Sequence, residues 1–387
     1  MIKNLHALKD KGLLRSLIPS EIRGDKIIIA NKPYLNLTSN DYLGISARLD
    51  WQRVFLHTLD TDQYLMGATS SRLLTGNTNC KEELEQTIAS SYGKECLLFN
   101  SGYHTNIGLL AALSTKDDLV LADKLIHASL IDGLRLASCS WLRYRHNDYN
   151  HLEKLLKKHQ GQYRNIYVLT ESLFSMDGDF ADLQALVQLK EKYKFKIYLD
   201  EAHAIGVYGE HGLGCAEAEG VLDKIDYLVG TLSKALASEG GFVILDRSSR
   251  EYLINRCRSL IYTTAGSPIN TYWARFVFNK MLKMHQERRH LKCLSKAFRE
   301  KLAGWPILGN SQVVPLVFKT DKACSELVAQ MRSAGFWVSA IRHPTVPINQ
   351  ARIRFSLTAT MTQLEINTIY ELILAYQRKQ QEPDFNF

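Results

Sequence analysis

The middle of the chain alternates short, almost wholly apolar runs with helix-length segments, and this alternation limits the folds that the chain can adopt. The apolar runs have the length of strands and lie at 96–100, 119–123, 165–170, 196–200, 227–230 and 242–246. Helical stretches such as 151–159 and 183–193 lie between them. Strands that are apolar on both faces are typical of a mostly parallel sheet that helices cover on both sides. The sequence therefore predicts an α/β fold.

Outside this region the pattern changes. From 267 to about 303 apolar residues recur at helical spacing, and two strand-like runs follow at 337–341 and 352–357. Residues 1–15 have the pattern of an amphipathic helix. We predict three parts, which are an N-terminal arm over about 1–45, a large domain over 46–265 and a smaller α+β C-terminal domain over 266–387.

Composition narrows the possible partners. The chain has 387 residues, a net charge of +8 and seven cysteines. Its positive residues are interspersed with Asp and Glu, so we expect an anionic cofactor and acidic substrates, and no nucleic acid. The cysteines are odd in number and never spaced C-x-x-C, so we expect no disulfide framework and no metal. No apolar run is long enough to cross a membrane and no signal peptide opens the chain, so we expect a cytoplasmic protein without a membrane partner.

Three polar motifs follow apolar strands, at the sheet edge where α/β proteins bind their ligands. Asp200-Glu201-Ala202-His203 follows one strand directly, and Lys234 lies in 231–236 after the next. Lys234 has small neighbours and precedes two glycines, so burial can tune the basicity of its amine. The third motif, 100–106, stands at a strand-to-helix junction, where backbone amides can bind a phosphate.

A phosphate cradle, a carboxylate and a lysine on strand ends of one sheet are the parts that pyridoxal 5'-phosphate (PLP) requires. The carboxylate keeps the pyridine nitrogen protonated, the lysine forms a Schiff base and the helix start holds the phosphate. The Asp-Glu-x-His motif also occurs in NTPases, but the chain has no G-x-x-x-x-G-K-[ST] loop. A non-catalytic α/β binding protein would have the same fold, but it would not explain Asp200, Lys234 and Ser101-Gly102 together.

In their order and spacing, these motifs resemble the α-oxoamine synthases of PLP fold type I over about 35–358. The supporting stretches are 38–44, 71–76, 101–103, 123–130, 172–179, 200–206, 231–236, 261–265 and 352–359. The resemblance implies a homodimer with shared active sites that condenses an amino acid with an acyl-CoA or an acyl carrier protein and releases CO2. Within the family, the chain is most similar to members that use L-alanine and a pimeloyl thioester in biotin biosynthesis.

The resemblance also implies roles for single residues. Lys234 would carry PLP and act as general acid and base, Asp200 would pair with the pyridine nitrogen, and His127 would stack on the ring. The other cofactor contacts would be Ser101, Gly102 and Tyr103 at the phosphate, Thr231 through its hydroxyl, Ser175 and a catalytic His203 at the phenolic oxygen, and Thr263 and Thr264 from the partner subunit.

For the substrates, the resemblance points to Asn40, Arg354 and Arg15. Arg354 would bind the amino-acid carboxylate, for which a planar guanidinium is well suited. Arg352 lies two residues before Arg354, so strand alternation puts both arginines on the same face and cannot decide which one binds the carboxylate. The alignment with the family's motif favours Arg354. Asn40 would touch the substrate, and Arg15 would meet the far carboxylate of the acyl chain.

Two departures from the family pattern leave the acyl donor open. Residues 67–70 read Gly-Ala-Thr-Ser where the family often has G-S-G-G, and 360–361 read Thr-Met where a histidine is common. The alternatives within the family are a glycine C-acetyltransferase and the 5-aminolevulinate, sphingoid-base and autoinducer synthases. The stretches 71–73 and 262–265 favour the biotin-pathway members, and an aminotransferase of the same fold type is a further alternative.

Overall fold

The computed structural model describes residues 5–6, 14, 16–60 and 66–381. The helix predicted for 1–15 therefore falls almost wholly outside the described residues. An antiparallel three-stranded ribbon follows it, with β1 (Glu21–Arg23), β2 (Lys26–Ile29) and β3 (Lys32–Asn36). No sequence pattern marks this ribbon, because its strands are short and only one of their residues is buried.

A seven-stranded sheet forms the centre of the molecule. Its strands are β4 (Glu95–Phe99), β5 (Asp118–Asp123), β6 (Ser140–Tyr144), β7 (Asn165–Glu171), β8 (Lys196–Asp200), β9 (Tyr227–Thr231) and β10 (Gly241–Leu245). They lie in the order β4-β10-β9-β8-β7-β5-β6, and only β10 is antiparallel to its neighbours. The predicted mostly parallel sheet is therefore present, and each predicted strand is there to within one residue at either end.

Helices pack on both faces of this sheet, and further helices pack on them and on the C-terminal strands. In chain order the helices up to residue 301 are α1 (Leu49–His57), α2 (Asn79–Tyr92), α3 (Gly102–Leu113), α4 (Ala128–Leu136), α5 (Tyr149–His159), α6 (Leu183–Tyr193), α7 (Cys215–Ala218), α8 (Arg247–Arg256), α9 (Arg258–Ile261), α10 (Pro268–Met281) and α11 (His285–Lys301). Alternate residues of β4 pack on opposite faces, with Leu98 in one hydrophobic cluster and Leu97 and Phe99 in the other. Burial on both faces explains why these strands are apolar throughout.

The C-terminal part adds α12 (Asp321–Ser333), α13 (Gln363–Gln381) and the strands β11 (Val313–Phe318), β12 (Phe336–Trp337), β13 (Ala340–Ile341) and β14 (Ala351–Ser356). The single strand predicted for 337–341 is wrong, because β12 pairs with β3 whereas β13 pairs with β14. The predicted division into three parts stays a prediction. Over the part of the chain that the structure describes, no helix combines the length and the apolar character needed to cross a bilayer.

Gly230 tests how tightly the central sheet is packed. It lies in β9, and a Cβ atom there would overlap the Phe242 ring and the Ile205 side chain. Overpacking of a core usually costs about 1–3 kcal/mol, so Gly230→Ala should lower the thermal unfolding midpoint. Gly67→Ala is the matched control, because no heavy atom lies within 4 Å of its Cβ position. Equal midpoints for the two variants would contradict this account of the packing.

Candidate active site

Asp200 lies at the end of β8, on the carboxyl edge of the central sheet. It is buried, and its Oδ2 accepts a hydrogen bond from Asn106 Nδ2 at 2.8 Å while Oδ1 accepts one from the Ala202 amide at 2.9 Å. Asn106 is fixed in turn, because its Oδ1 accepts a hydrogen bond from the Tyr198 hydroxyl at 2.8 Å. The carboxylate is therefore held in one orientation.

Lys234 lies in the turn that follows β9 and is partly buried. Desolvation lowers the pKa of Lys234 to about 8, although the charges of Asp200 and Glu171 raise it. The positive charge of Arg354 lowers the pKa further. A lysine with a reduced pKa supplies the neutral amine that attacks an aldehyde.

The start of α3 faces the end of β9. Ser101 caps the helix, and its Oγ accepts a hydrogen bond from the His104 amide at 3.1 Å. The amides of Gly102 and Tyr103 belong to the first turn and have no partner within the helix. A Cβ atom on Gly102 would lie 3.5 Å from the Thr231 side chain, so the two elements are close neighbours. This arrangement suits a phosphate.

His127 caps α4 with its side chain, and its Nδ1 accepts a hydrogen bond from the Ser129 amide at 3.2 Å. Its backbone amide donates to Glu171 Oε1 at 2.6 Å. Ser129 Oγ accepts a hydrogen bond from Asn106 Nδ2 at 2.9 Å, which links His127 to the residue that holds Asp200. The His127 side chain is exposed, so its ring is accessible for stacking.

His203 is buried beside the N-terminal segment of the chain. Its Nδ1 lies 2.7 Å from the Tyr42 hydroxyl, and its backbone carbonyl accepts a hydrogen bond from Gln312. Burial lowers the pKa of His203 well below its ordinary value, and the charges of Lys234 and Arg354 lower it further. The imidazole is therefore neutral at physiological pH.

Arg354, on β14, joins the C-terminal strand to this group. Its Nη2 donates to Asn40 Oδ1 at 3.1 Å and to the Tyr42 hydroxyl at 3.2 Å. Its Nε donates to the Ser175 carbonyl oxygen at 2.6 Å. The structure thus brings together Asn40, Ser175, His203 and Arg354, which the sequence assigned to the cofactor or the substrate.

Arg352 is placed differently from Arg354. It is 1 % exposed, and its Nη1 donates to Asp177 Oδ1 at 2.8 Å and to the Met176 carbonyl at 3.2 Å. Its guanidinium is occupied by protein groups, whereas Arg354 is only partly buried. The geometry favours Arg354 over Arg352 as the carboxylate-binding residue.

Thr263 and Thr264 lie beside the strand end that precedes Ser101. Asn100 Nδ2 donates to Thr263 Oγ1 at 3.1 Å and to the Thr264 carbonyl at 2.7 Å. Their contact with a partner subunit stays a prediction, and so does the role of Arg15, which lies outside the described residues.

Sequence reasoning missed three residues of the site, which are Tyr42, Asn106 and Glu171. Asn106 lies four residues after Gly102, on the same face of α3, and helical spacing was the signal that pointed to it. Glu171 ends β7 directly opposite Asp200 in the sheet, so strand register was its signal. Burial and the charge of Asp200 raise the pKa of Glu171 well above its ordinary value.

These residues fit PLP, because a fixed carboxylate, a lysine of reduced basicity and free helix amides meet at one sheet edge. Residues 32–373 match the family model described as aminotransferase class I and II. The chain belongs to this family. It is 46% identical over 354 residues to 8-amino-7-oxononanoate synthase of Chlorobaculum parvum, covering 90% of each chain. It is also 46% identical over 376 residues to that of Haemophilus ducreyi, covering 94% of this chain and 97% of the relative.

Two solved structures are similar over most of the chain. Serine palmitoyltransferase from S. paucimobilis, solved with bound PLP and myriocin, has a TM-score of 0.90 and 26% identity and covers 98% of this chain and 96% of its own. The 8-amino-7-oxononanoate synthase of Francisella tularensis has a TM-score of 0.77 and 25% identity, and the match covers 90% of this chain and 99% of that synthase.

These findings confirm several predictions. The α-oxoamine synthase resemblance, the PLP fold type I architecture, the PLP cofactor and the PLP-dependent transferase class are all confirmed. The predicted function as an 8-amino-7-oxononanoate synthase is confirmed by the relatives of that name. The roles of individual residues stay predictions.

Lys234 should make the stability of the PLP-free protein depend on pH. Folding lowers its pKa from 10.5 to about 8, so between these pH values the unfolded chain binds a proton that the folded chain does not. Below about pH 8 the folded protein bears the full cost of burying protonated Lys234, and this cost falls as the pH rises towards 10.5. The contribution of Lys234 to the free energy of unfolding therefore increases with pH. Lys234→Met should remove it, which denaturant titrations at several pH values would measure.

The exposed Lys319 provides the control for this experiment. Lys319→Met should keep the pH dependence of the wild type. If Lys234→Met and the wild type differ by the same free energy at every pH, the reduced pKa of Lys234 is wrong.

Proposed function

We propose that this chain condenses L-alanine with a pimeloyl thioester to give 8-amino-7-oxononanoate, CO2 and the free thiol, in the biosynthesis of biotin. One observation supports this most directly. Arg354 lies among Asn40, Tyr42 and Ser175, and its positive charge lowers the pKa of Lys234. A cation that can bind an amino-acid carboxylate thus belongs to the same site as an amine that can move the α-proton.

PLP, when bound, supplies an aldehyde that reacts with amines and a ring that accepts the electron pair released at the α-carbon. Asp200 would hold the proton at the ring nitrogen by its negative charge. The residues that would hold the phosphate are Ser101, Gly102, Tyr103 and Thr231, His127 would stack on the ring, and Ser175 and His203 would bind the phenolic oxygen. Because His203 is neutral and its Nδ1 is occupied by Tyr42, its Nε2 is the atom left for that contact.

Lys234 and Arg354 act on the substrate. Arg354 binds the alanine carboxylate through charge-assisted hydrogen bonds. Lys234 Nζ removes the proton from the α-carbon and later returns a proton to the same carbon. Between these events a bond forms from the α-carbon to the thioester carbonyl carbon while the C–S bond breaks. The bond to the carboxylate then breaks and releases CO2.

The proposal includes a cytoplasmic homodimer with shared active sites. Thr264 is exposed, and its bridge to Ser71 places the segment 71–76 next to it. Leu74 in that segment and Tyr262 are 77% and 72% exposed, which leaves apolar side chains on this surface. Surfaces of this kind commonly lie in protein interfaces. Thr263 and Thr264 would contact the phosphate of the PLP that is bound in the partner subunit's site. Arg15 would bind the far carboxylate of the pimeloyl chain, which CoA or a carrier protein carries.

The proposed reaction can be tested with purified protein, PLP, L-alanine and pimeloyl-CoA. We expect thiol release together with a product of the mass of 8-amino-7-oxononanoate, and a smaller rate with glycine, serine or shorter acyl-CoAs. The pimeloyl carrier protein would be assayed in parallel to compare the two donors. A faster reaction of glycine with acetyl-CoA or succinyl-CoA would instead favour another member of the family.

The two arginines of β14 should respond differently to substitution. Arg354→Ala should raise KM for alanine by about 30-fold or more, since removing one partner of a hydrogen-bonded charge pair costs about 2–5 kcal/mol. Arg352→Ala should instead destabilise the fold by about 3–5 kcal/mol, because it leaves Asp177 without its buried partner. Steady-state kinetics and thermal unfolding of both variants would measure this. If a stable Arg352→Ala variant raised KM for alanine more than Arg354→Ala does, Arg352 would be the carboxylate-binding residue instead.

A further inference from the structure

A tight turn at 174–179 carries the carbonyl that orients Arg354. The Ser175 carbonyl oxygen accepts the hydrogen bond from Arg354 Nε at 2.6 Å. Two backbone hydrogen bonds close the turn, from the Phe174 amide to the Asp179 carbonyl at 3.0 Å and from the Gly178 amide to the Phe174 carbonyl at 2.9 Å. The direction of the Arg354 guanidinium therefore depends on how this turn is anchored.

His146 anchors the turn to the central sheet. Its Nδ1 lies 2.9 Å from Asp123 Oδ1 at the end of β5, and its Nε2 lies 2.8 Å from Asp179 Oδ2. Asn147 Nδ2 also donates to Asp179 Oδ2, at 3.0 Å. The His146 ring meets the buried Phe174 ring edge to face, with centroids 4.5 Å apart. Both ends of the turn are thus attached to one imidazole.

The protonation of His146 strengthens this anchor. Burial alone would lower its pKa, but the hydrogen bonds to Asp123 and Asp179 raise the pKa of His146 to about 10. Both ring nitrogens can donate to carboxylates only when the ring carries two protons. The ring is therefore a cation between two anions, and its side chain is only 22% exposed.

The far side of the turn contacts the C-terminal part of the chain. The Gly178 carbonyl accepts hydrogen bonds from the amides of Asn310 and Ser311, at 3.0 and 3.2 Å, and Asp177 pairs with Arg352. The turn is therefore the junction through which the central sheet sets the position of β14 and of Arg354.

We propose that His146 is a positioning residue for the amino-acid substrate, which acts through Asp179 and the 174–179 turn to aim Arg354 at the carboxylate. This inference rests on the proposed function, in which Arg354 binds that carboxylate. His146 does not contact Arg354 and acts on it only through the turn, so its loss should change the binding of alanine more than the chemistry.

The test is His146→Asn, assayed as the PLP-loaded enzyme with alanine and pimeloyl-CoA. KM for alanine should rise about tenfold, because residues of one hydrogen-bonded network couple measurably. The value of kcat should change by less than about threefold, and KM for pimeloyl-CoA and PLP content should stay as in the wild type. Asp179→Asn should act in the same direction and keeps the inference testable if His146→Asn folds poorly. His57→Asn, at an exposed position of α1, is the matched control.

A double variant separates positioning from a general structural effect. If His146 acts through Arg354, His146→Asn in the Arg354→Ala background should not raise KM for alanine further. Independent, multiplicative effects would overturn the inference, and so would a normal alanine KM in stable His146→Asn and Asp179→Asn. An unchanged alanine KM in Arg354→Ala would instead contradict the proposed carboxylate site, whatever the His146 variants show.

Discussion

The fixed carboxylate of Asp200 is the interaction on which the rest of the site depends. A buried carboxylate is tolerated only when hydrogen bonds replace its water, and Asn106 and the Ala202 amide provide them. The charge of Asp200 then acts on its neighbours, since it raises the pKa of Glu171 and partly offsets the desolvation of Lys234.

Three distant parts of the chain meet around that edge. Tyr42 comes from the N-terminal segment, His203 from the central sheet and Arg354 from the C-terminal strand, and the Tyr42 hydroxyl lies within hydrogen-bonding distance of the other two. Burial with positive neighbours keeps His203 neutral, whereas the Arg354 guanidinium is only partly buried. In the proposed function the site divides into a cofactor region, which the sheet fixes, and a substrate region, which contacts between the parts of the chain fix.

The sequence predicted the elements whose pattern is local. The apolar strands follow from burial on two faces, α6 follows from helical periodicity, and the strand-to-helix junction at 100–106 follows from small polar residues after an apolar run. The edge strand β6 was missed because only Tyr144 in it is buried, so no apolar run marks it. Tyr42 lies in the stretch 38–44 but was given no role, because its partner His203 is 161 residues away and no spacing rule reaches that far.

The parallel pairing of β3 with β12 joins residues about 300 positions apart, with Leu35 opposite Phe336. Asn40 and Tyr42 follow β3 directly, and Arg354 comes after β12. During synthesis the N-terminal segment therefore emerges from the ribosome long before the strand that completes its small sheet. The large sheet can form while β14 and Arg354 are still missing. In the proposed function, a nascent or truncated chain that ends before β12 would therefore have the lysine and the aspartate but not the arginine that holds the amino acid.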